Sequence, residues 1–330
     1  MKSPPVPLPT TPPTLPFLAL AGPTGVGKSA VACALAPHLD AEIVVADSMQ
    51  VYRGFTIGTG KPSAAERAAV RHHGLDLVDP AAGFDAAAFR AAAAAACAAI
   101  RGRGHLPLVV AGTGLYLRVL RQGLSDAPPP DPALRQRLQA EARRLGVPAL
   151  HARLKSGDPE TAARLAVNDR SRVLRALEVL EQTGRPLSLW QGEHRRTRRA
   201  PAGLVIGLTR DRRDLYRRIE ARVLAMVAAG LEEEVRGLRD RGYGETQPMR
   251  GLGYRHFLPV VVGERTAAEA IRLMQRDTRR YAKRQGTWFR KEPGIVWLSV
   301  APEESPAATA ERILGLLADR AAGEAAPWSA

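Results

Sequence analysis

The chain has 330 residues, enough for a full hydrophobic core and a second smaller unit, with an ordinary globular composition of 45% hydrophobic and 25% charged residues. Lys and Arg number 48 against 33 Asp and Glu, and the formal net charge of +15 favours a polyanionic partner. Cys33 and Cys97 show no CxxC or Cys/His spacing, which argues against a disulfide framework and a zinc site, and no apolar run is long enough for a membrane span.

In chain order, residues 1–15 form a proline-rich stretch that reads as a disordered tail rather than a signal peptide, so a cytoplasmic protein is expected. The short apolar strand Phe17 to Ala21 then leads into Gly22-Pro23-Thr24-Gly25-Val26-Gly27-Lys28-Ser29, which fits G-x-x-x-x-G-K-[ST] and precedes a helical run, Ala30 to Leu39. The glycines let successive backbone N–H groups turn inward toward phosphate oxygens, and the helix N-terminus adds partial positive charge. Lys28 can reach the phosphates and Ser29 can hold Mg²⁺. The motif specifies a di- or triphosphate without saying which.

A second strand, Glu42 to Ala46, ends in Asp47-Ser48-Met49-Gln50, giving the strand–loop–helix–strand order of a parallel sheet. Ligands in such sheets bind at the carboxyl ends of strands, so Asp47 is a candidate base or indirect Mg²⁺ ligand, with a turn cap as its bland alternative. Residues 51–62 read as a loop over the site. His72-His73, with Asp76 and Asp79, read as structural hydrogen-bonding groups, because adjacent histidines point in different directions on any regular element. Asp85 caps an alanine-rich helix that stops at Gly102. The strand Leu106 to Ala111 runs into Gly112-Thr113-Gly114-Leu115-Tyr116 and lacks the terminal acid of P-loop motors and switches.

From residue 123 to 200 strand patterns disappear. This stretch reads as an all-helical insertion, including a helix that begins at Asn168-Asp169 and stops at Gly184. The sheet resumes at Leu204 to Thr209, followed by a helix from Asp214 to Ala229 with Arg218 and Arg222 four apart on one face. Beyond a glycine-broken basic turn, residues 248–255, the stretch Ala267 to Arg290 is an amphipathic helix. Ile271, Met274, Tyr281, Trp288 and Phe289 share one side, and Arg272, Arg276, Arg279, Arg280, Lys283 and Arg284 form a basic stripe suited to a phosphate backbone. Ile295 to Val300 is a last strand before a terminal helix, and residues 323–330 read as a frayed tail. The expected architecture is α/β, a P-loop NTPase-like parallel sheet flanked by helices. Residues 16–122 and 201–322 would form the core and residues 123–200 the helical insertion.

These motifs together resemble the tRNA dimethylallyltransferases, which modify an adenosine beside the anticodon. The resemblance is carried by Gly22 to Ser29, by Asp47 to Gly54 with Ile57 to Pro62, and by Gly112-Thr113 with Leu115-Tyr116. Arg172 to Glu178, Gly253-Tyr254-Arg255, Ala282 to Gln285 and Thr287-Trp288 also match, so that it spans about residues 17–300. Ala111 and Ser171 stand where the family usually has glycine and glutamine.

The resemblance implies transfer of a dimethylallyl group from dimethylallyl diphosphate to N6 of adenosine 37 in a tRNA anticodon stem-loop, using Mg²⁺ on Ser29; a monomer is the default expectation. It implies Asp47 as base, Thr113 beside the reacting centre, and Arg222 on the diphosphate with Arg218, Lys28 and the loop amides of residues 22–29. It further implies RNA contacts from Asp47, Ser48, Met49, Gln50 and Thr113, from Arg135, and from Ser171, Arg172, Val173, Leu174 and Arg175. A last set comprises Arg250, Gly251, Leu252, Gly253, Tyr254, Arg255, Lys283, Arg284, Gln285, Trp288 and Arg290. Two rival readings are an ATP-dependent small-molecule kinase, which leaves the basic stripe idle, and a non-catalytic RNA-binding P-loop protein, which makes Asp47 dispensable.

Overall fold

A computed structural model of the chain describes residues 17–197 and 203–323. The expected tail at 1–15, all but Gly323 of the expected tail at 323–330, and Arg198-Arg199 of the arginine run lie outside the described residues. The described residues divide into two compact units, residues 17–121 with 203–323, and residues 122–197.

The first unit begins with β1 (Leu18–Ala21), α1 (Lys28–Leu35), β2 (Ala41–Ala46), α2 (Ala64–Ala69), β3 (His72–His73), α3 (Ala86–Gly102), β4 (Leu106–Ala111) and α4 (Gly114–Gln122). The helical unit contributes α5 (Pro132–Leu145), α6 (Val147–Gly157), α7 (Pro159–Arg164), α8 (Arg170–Thr183) and α9 (Leu187–Thr197). The first unit resumes with β5 (Leu204–Thr209), α10 (Arg212–Ala228), α11 (Leu231–Leu238), α12 (Tyr254–Val261), α13 (Ala267–Arg290), β6 (Ile295–Ser299) and α14 (Pro306–Gly323).

The described strands form one parallel sheet of order β3-β2-β4-β1-β5-β6. Parallel strands covered on both faces need continuous apolar runs, and β1 and β4 are buried at every residue. Because β4 inserts between β1 and β2, the carboxyl ends of three adjacent strands carry the phosphate loop, Gly112 and Asp47 side by side. The sheet packs against α1 and α14 through Val31, Ala32, Leu35, Ala310 and Ile313.

The short strand β3 is absent from the sequence reading. It forms because His72 and His73 pair with Ile43 and Val44 at the sheet edge. His73 Nε2 lies 2.6 Å from Glu42 Oε2, and His72 Nδ1 lies 2.7 Å from the Val70 carbonyl, in keeping with a structural role. Among the described residues no cluster of His, Cys, Asp and Glu could hold a metal by itself, and no helix is long and apolar enough to cross a membrane.

A second apolar cluster in this unit joins Val51, Tyr52 and Phe55 to Leu231, Val235, Tyr254, Phe257 and Met274. It fixes the loop of residues 51–62, whose backbone is pinned by Glu234: one carboxylate accepts from the N–H groups of Thr56, Ile57 and Gly58 at 2.7–3.2 Å.

The helical unit has its own core of Leu138, Leu150, Leu154, Val173, Leu174 and Leu177. The fully buried Glu178 accepts from the Asp131 N–H and pairs with Arg135 and Arg175. A buried carboxylate must be paired or neutralised, and these two arginines supply the charge.

Candidate active site

The site is built on a helix start without a side-chain cap. Gly27, at φ 108°, is the left-handed N-cap of α1 and has no side chain to cap the first turn, so the turn's N–H groups are left for an anion. Ser29 is exposed and lines the cavity of the site. Lys28 is nearly buried, and its Nζ donates to the Pro23 carbonyl at 2.9 Å. Burial, together with the Arg222 charge and against the opposing Asp47 charge, pulls the Lys28 ammonium down to about 7.

From α10, Arg218 Nε donates to the Gly25 carbonyl at 3.0 Å, and Arg222 reaches deeper. A Cβ on Gly60, which sits at φ 61°, would lie 1.8 Å from Arg222 Nη2, so a side chain at residue 60 would push the guanidinium from this position. Burial lowers the Arg222 affinity for its proton, and the Asp47 charge works the other way. Arg210, which the sequence reading did not single out, braces the loop by donating to the Val26 carbonyl at 2.9 Å while pairing with Asp214.

Asp47 follows β2. Its Oδ1 accepts from the N–H groups of Met49 and Gln50 at 2.8 and 3.2 Å, so the turn-cap alternative is real for one oxygen. The other, Oδ2, faces Gly112, where a Cβ would stand 3.3 Å away. Thr113 does not line the cavity; its hydroxyl accepts from the Ser48 N–H at 3.2 Å and steadies the Asp47 turn.

These groups open on one cavity of about 770 Å³, lined by Lys28, Ser29, Asp47, Arg218, Arg222 and Arg284 among others. One end is cationic and suits a diphosphate. The rest of the lining is mixed and includes Met49, Leu252, Met274 and Tyr281. Tyr281 and Met274, which the sequence places only on the apolar side of the helix, both line the cavity. Burial raises the Tyr281 hydroxyl to about 12, so it stays a neutral donor at physiological pH.

Other expected contacts divide by where they sit. Arg250, Gly251, Leu252 and Arg255 line the cavity, as do Ser48, Met49 and Gln50. Tyr254 is fully buried and its hydroxyl donates to Glu234 Oε1 at 2.6 Å, and Gly253 is also buried, so neither offers a side chain to RNA. In the helical unit Val173 and Leu174 are core residues, while Ser171 and Arg172 are exposed. Arg135 and Arg175 neutralise Glu178. Gln285 is nearly buried, and both ends of its amide bind backbone.

The basic stripe on α13 is less uniform than its sequence. Arg276 and Arg280 lie beside Asp277, and Arg279 pairs with Glu220. Lys283 and Arg290 are exposed and, among the described residues, show no ion pair. Trp288 lies under the Arg118 guanidinium at 4.4 Å and against Gly114.

The low proton affinity of Lys28 has a measurable consequence. A folded-state value of about 7 against 10.5 means the folded protein binds fewer protons between these pH values, so this group adds stability as pH rises through that window. A bound diphosphate reverses the balance and draws a proton onto Lys28. Pyrophosphate affinity should therefore fall more steeply above about pH 7 in the wild type than in Lys28→Met, by up to about tenfold per pH unit. Calorimetric titration at several pH values checks this, and parallel pH dependences would contradict it.

Comparison with known proteins returns consistent matches. A family model described as IPP transferase matches residues 50–292, and one described as isopentenyl transferase matches residues 16–79. The tRNA dimethylallyltransferase of Syntrophobacter fumaroxidans is 51% identical over 288 residues, covering 87% of this chain and 84% of that protein. The one from Geobacter metallireducens is 50% identical over 278 residues, 84% and 90% of the two chains. Among solved structures, the tRNA isopentenylpyrophosphate transferase of Bacillus halodurans aligns with a TM-score of 0.68 at 37% identity, over 93% of this chain and 97% of that one. A eukaryotic dimethylallyltransferase acting on tRNA aligns with a TM-score of 0.78 at 26% identity, over 93% and 79%.

Proposed function

The chain belongs to the tRNA dimethylallyltransferase family, and from that premise we propose that it transfers the dimethylallyl group of dimethylallyl diphosphate to N6 of adenosine 37 in a tRNA anticodon stem-loop, releasing diphosphate. The observation that carries the reading is one cavity with Lys28, Arg218 and Arg222 at one end and the Asp47 carboxylate beside it. A diphosphate suits the cationic end, and an amine that must lose a proton suits the carboxylate.

The N6 lone pair is delocalised into the adenine ring and attacks poorly unaided. In the transfer, N6 attacks the first carbon of the dimethylallyl group, the carbon–oxygen bond breaks, and its electron pair leaves with the diphosphate. Asp47 takes the amine proton as the new bond forms. Lys28, Arg218, Arg222 and the loop amides stabilise the charge that develops on the leaving oxygens. The adenine must leave the base stack to reach Asp47, a cost lowest in a single-stranded loop.

Ser29, exposed in the cavity lining beside the phosphate loop, would hold a Mg²⁺ ion, which rarely uses an all-protein cage. When bound, the ion would neutralise charge on the leaving group. A monomer working in the cytoplasm completes the proposal.

The test is transfer of labelled dimethylallyl diphosphate to an unmodified anticodon stem-loop, beside labelled ATP as a control. Label entering RNA from the prenyl donor supports the reading. Phosphate transfer from ATP with no prenyl transfer would return the loop to the kinases.

The α13 geometry also predicts which cations meet RNA. Lys283→Ala with Arg290→Ala should flatten the salt dependence of stem-loop binding by about 0.7–0.9 log units per log unit of salt for each phosphate left without its cation. Arg279→Ala with Arg280→Ala should change it less, because Arg279 pairs with Glu220 and Arg280 lies 3.6 Å from Asp277. Equal effects in a filter-binding series would contradict this division.

A further inference from the structure

Gln285 lies on the inner side of α13, between the exposed Lys283 and Arg284 in sequence and the buried Phe289. Its Oε1 accepts from the Thr24 N–H at 2.9 Å, and its Nε2 donates to the Gly112 carbonyl at 2.7 Å. The Tyr281 hydroxyl lies beside the same amide. A planar amide with one donor and one acceptor edge can bridge an N–H and a carbonyl at once, and a buried one must find such partners.

The two ends of this bridge belong to the two halves of the reaction. Thr24 is in the phosphate loop. Gly112 ends β4, and a Cβ there would be 3.3 Å from Asp47 Oδ2 and 3.8 Å from Gln285 Nε2. We propose that Gln285 is a positioning residue that sets the spacing between the phosphate loop and the strand end beside Asp47. It does so from the helix whose outer face carries Lys283 and Arg290. This inference rests on the transfer reaction proposed above. It replaces the RNA contact implied by the resemblance, because both polar atoms of Gln285 point inward.

Fixing a leaving group and a base on separate elements matters because a misplacement of about 1 Å can cost about a hundredfold in rate. Gln285→Met keeps length and approximate volume and removes both hydrogen bonds. It should lower kcat by about 30–100-fold, with KM for donor and stem-loop within about threefold of wild type. A raised KM for RNA with kcat retained would overturn the inference, as would an unchanged kcat.

Gln285→Glu separates positioning from simple packing. One carboxylate oxygen can still accept from Thr24, but the other meets the Gly112 carbonyl and regains a hydrogen bond only when protonated. Its kcat relative to wild type should therefore rise as pH falls. A flat ratio overturns the proposal, and it does so even where Gln285→Met fails to fold. Wild type that transfers nothing withdraws the reaction itself, whereas active wild type matched by both variants withdraws only the role of Gln285.

Discussion

Replacing Asp47 by Asn should reduce kcat for transfer by about 10²–10⁴-fold, the usual contribution of a positioned general base, or about 3–5 kcal/mol of barrier. Asn is the informative substitution because it keeps an oxygen that can accept from Met49 and Gln50, so the turn survives. It cannot take the N6 proton. Pyrophosphate affinity should hold or improve, because a negative charge leaves the neighbourhood of Lys28 and Arg222. Asp47→Ala should lose the same activity and also about 1 kcal/mol of stability through the two unmade hydrogen bonds. Single-turnover kinetics with thermal melting separate the two effects. Transfer at the wild-type rate by Asp47→Asn would remove Asp47 as the base.

Arg222→Ala should cost about 10²–10³-fold in kcat/KM, the range seen when one preorganised donor to a developing charge is removed. The effect on the free protein runs the other way. Arg222 sits among protein atoms with its charge answered by Asp47 and opposed by Lys28. A cation held this way disfavours the empty folded state until an anion arrives. Arg222→Ala should therefore melt no earlier than wild type without ligand, and it should gain less stability from added pyrophosphate. Its Lys28 should also hold its proton more firmly, because the Arg222 charge helps to lower that affinity. Melting curves with and without pyrophosphate, beside steady-state rates, check both halves. A variant that melts early yet keeps full kcat/KM would make Arg222 a structural residue.

The phosphate loop and the strands were legible because each is a local signal: glycines and Lys-Ser at fixed spacing, and apolar runs too short for helices. The span of α13 was equally plain from its 3.6-residue period, and the structure gives Ala267–Arg290. What each residue touches was not local. Gln285 and Tyr254 sit inside contiguous motifs that read as RNA-binding, but the helical turn sends them inward, to backbone groups and to Glu234. A glutamine at a core-facing position among cations was the one hint that a buried polar partner existed.

Glu234 left no such hint. It stands in the run Glu232-Glu233-Glu234, and its loop partners lie 176 to 178 residues away in sequence. In the same way, the pairing of Arg279 with Glu220 and the approach of Arg255 to Asp277 belong to tertiary packing, whereas Arg276 and Arg280 meet Asp277 within the helix itself. The strand at His72–His73 was invisible because two residues carry no period.

The measurement that bears most directly on the central claim is mass spectrometry of an unmodified anticodon stem-loop after incubation with the protein and dimethylallyl diphosphate. The expected result is the added mass of one dimethylallyl group, carried on N6 of the adenosine next to the anticodon, for wild type and not for Asp47→Asn. A stem-loop of unchanged mass with wild type, or an Asp47→Asn product equal to that of wild type, would contradict it.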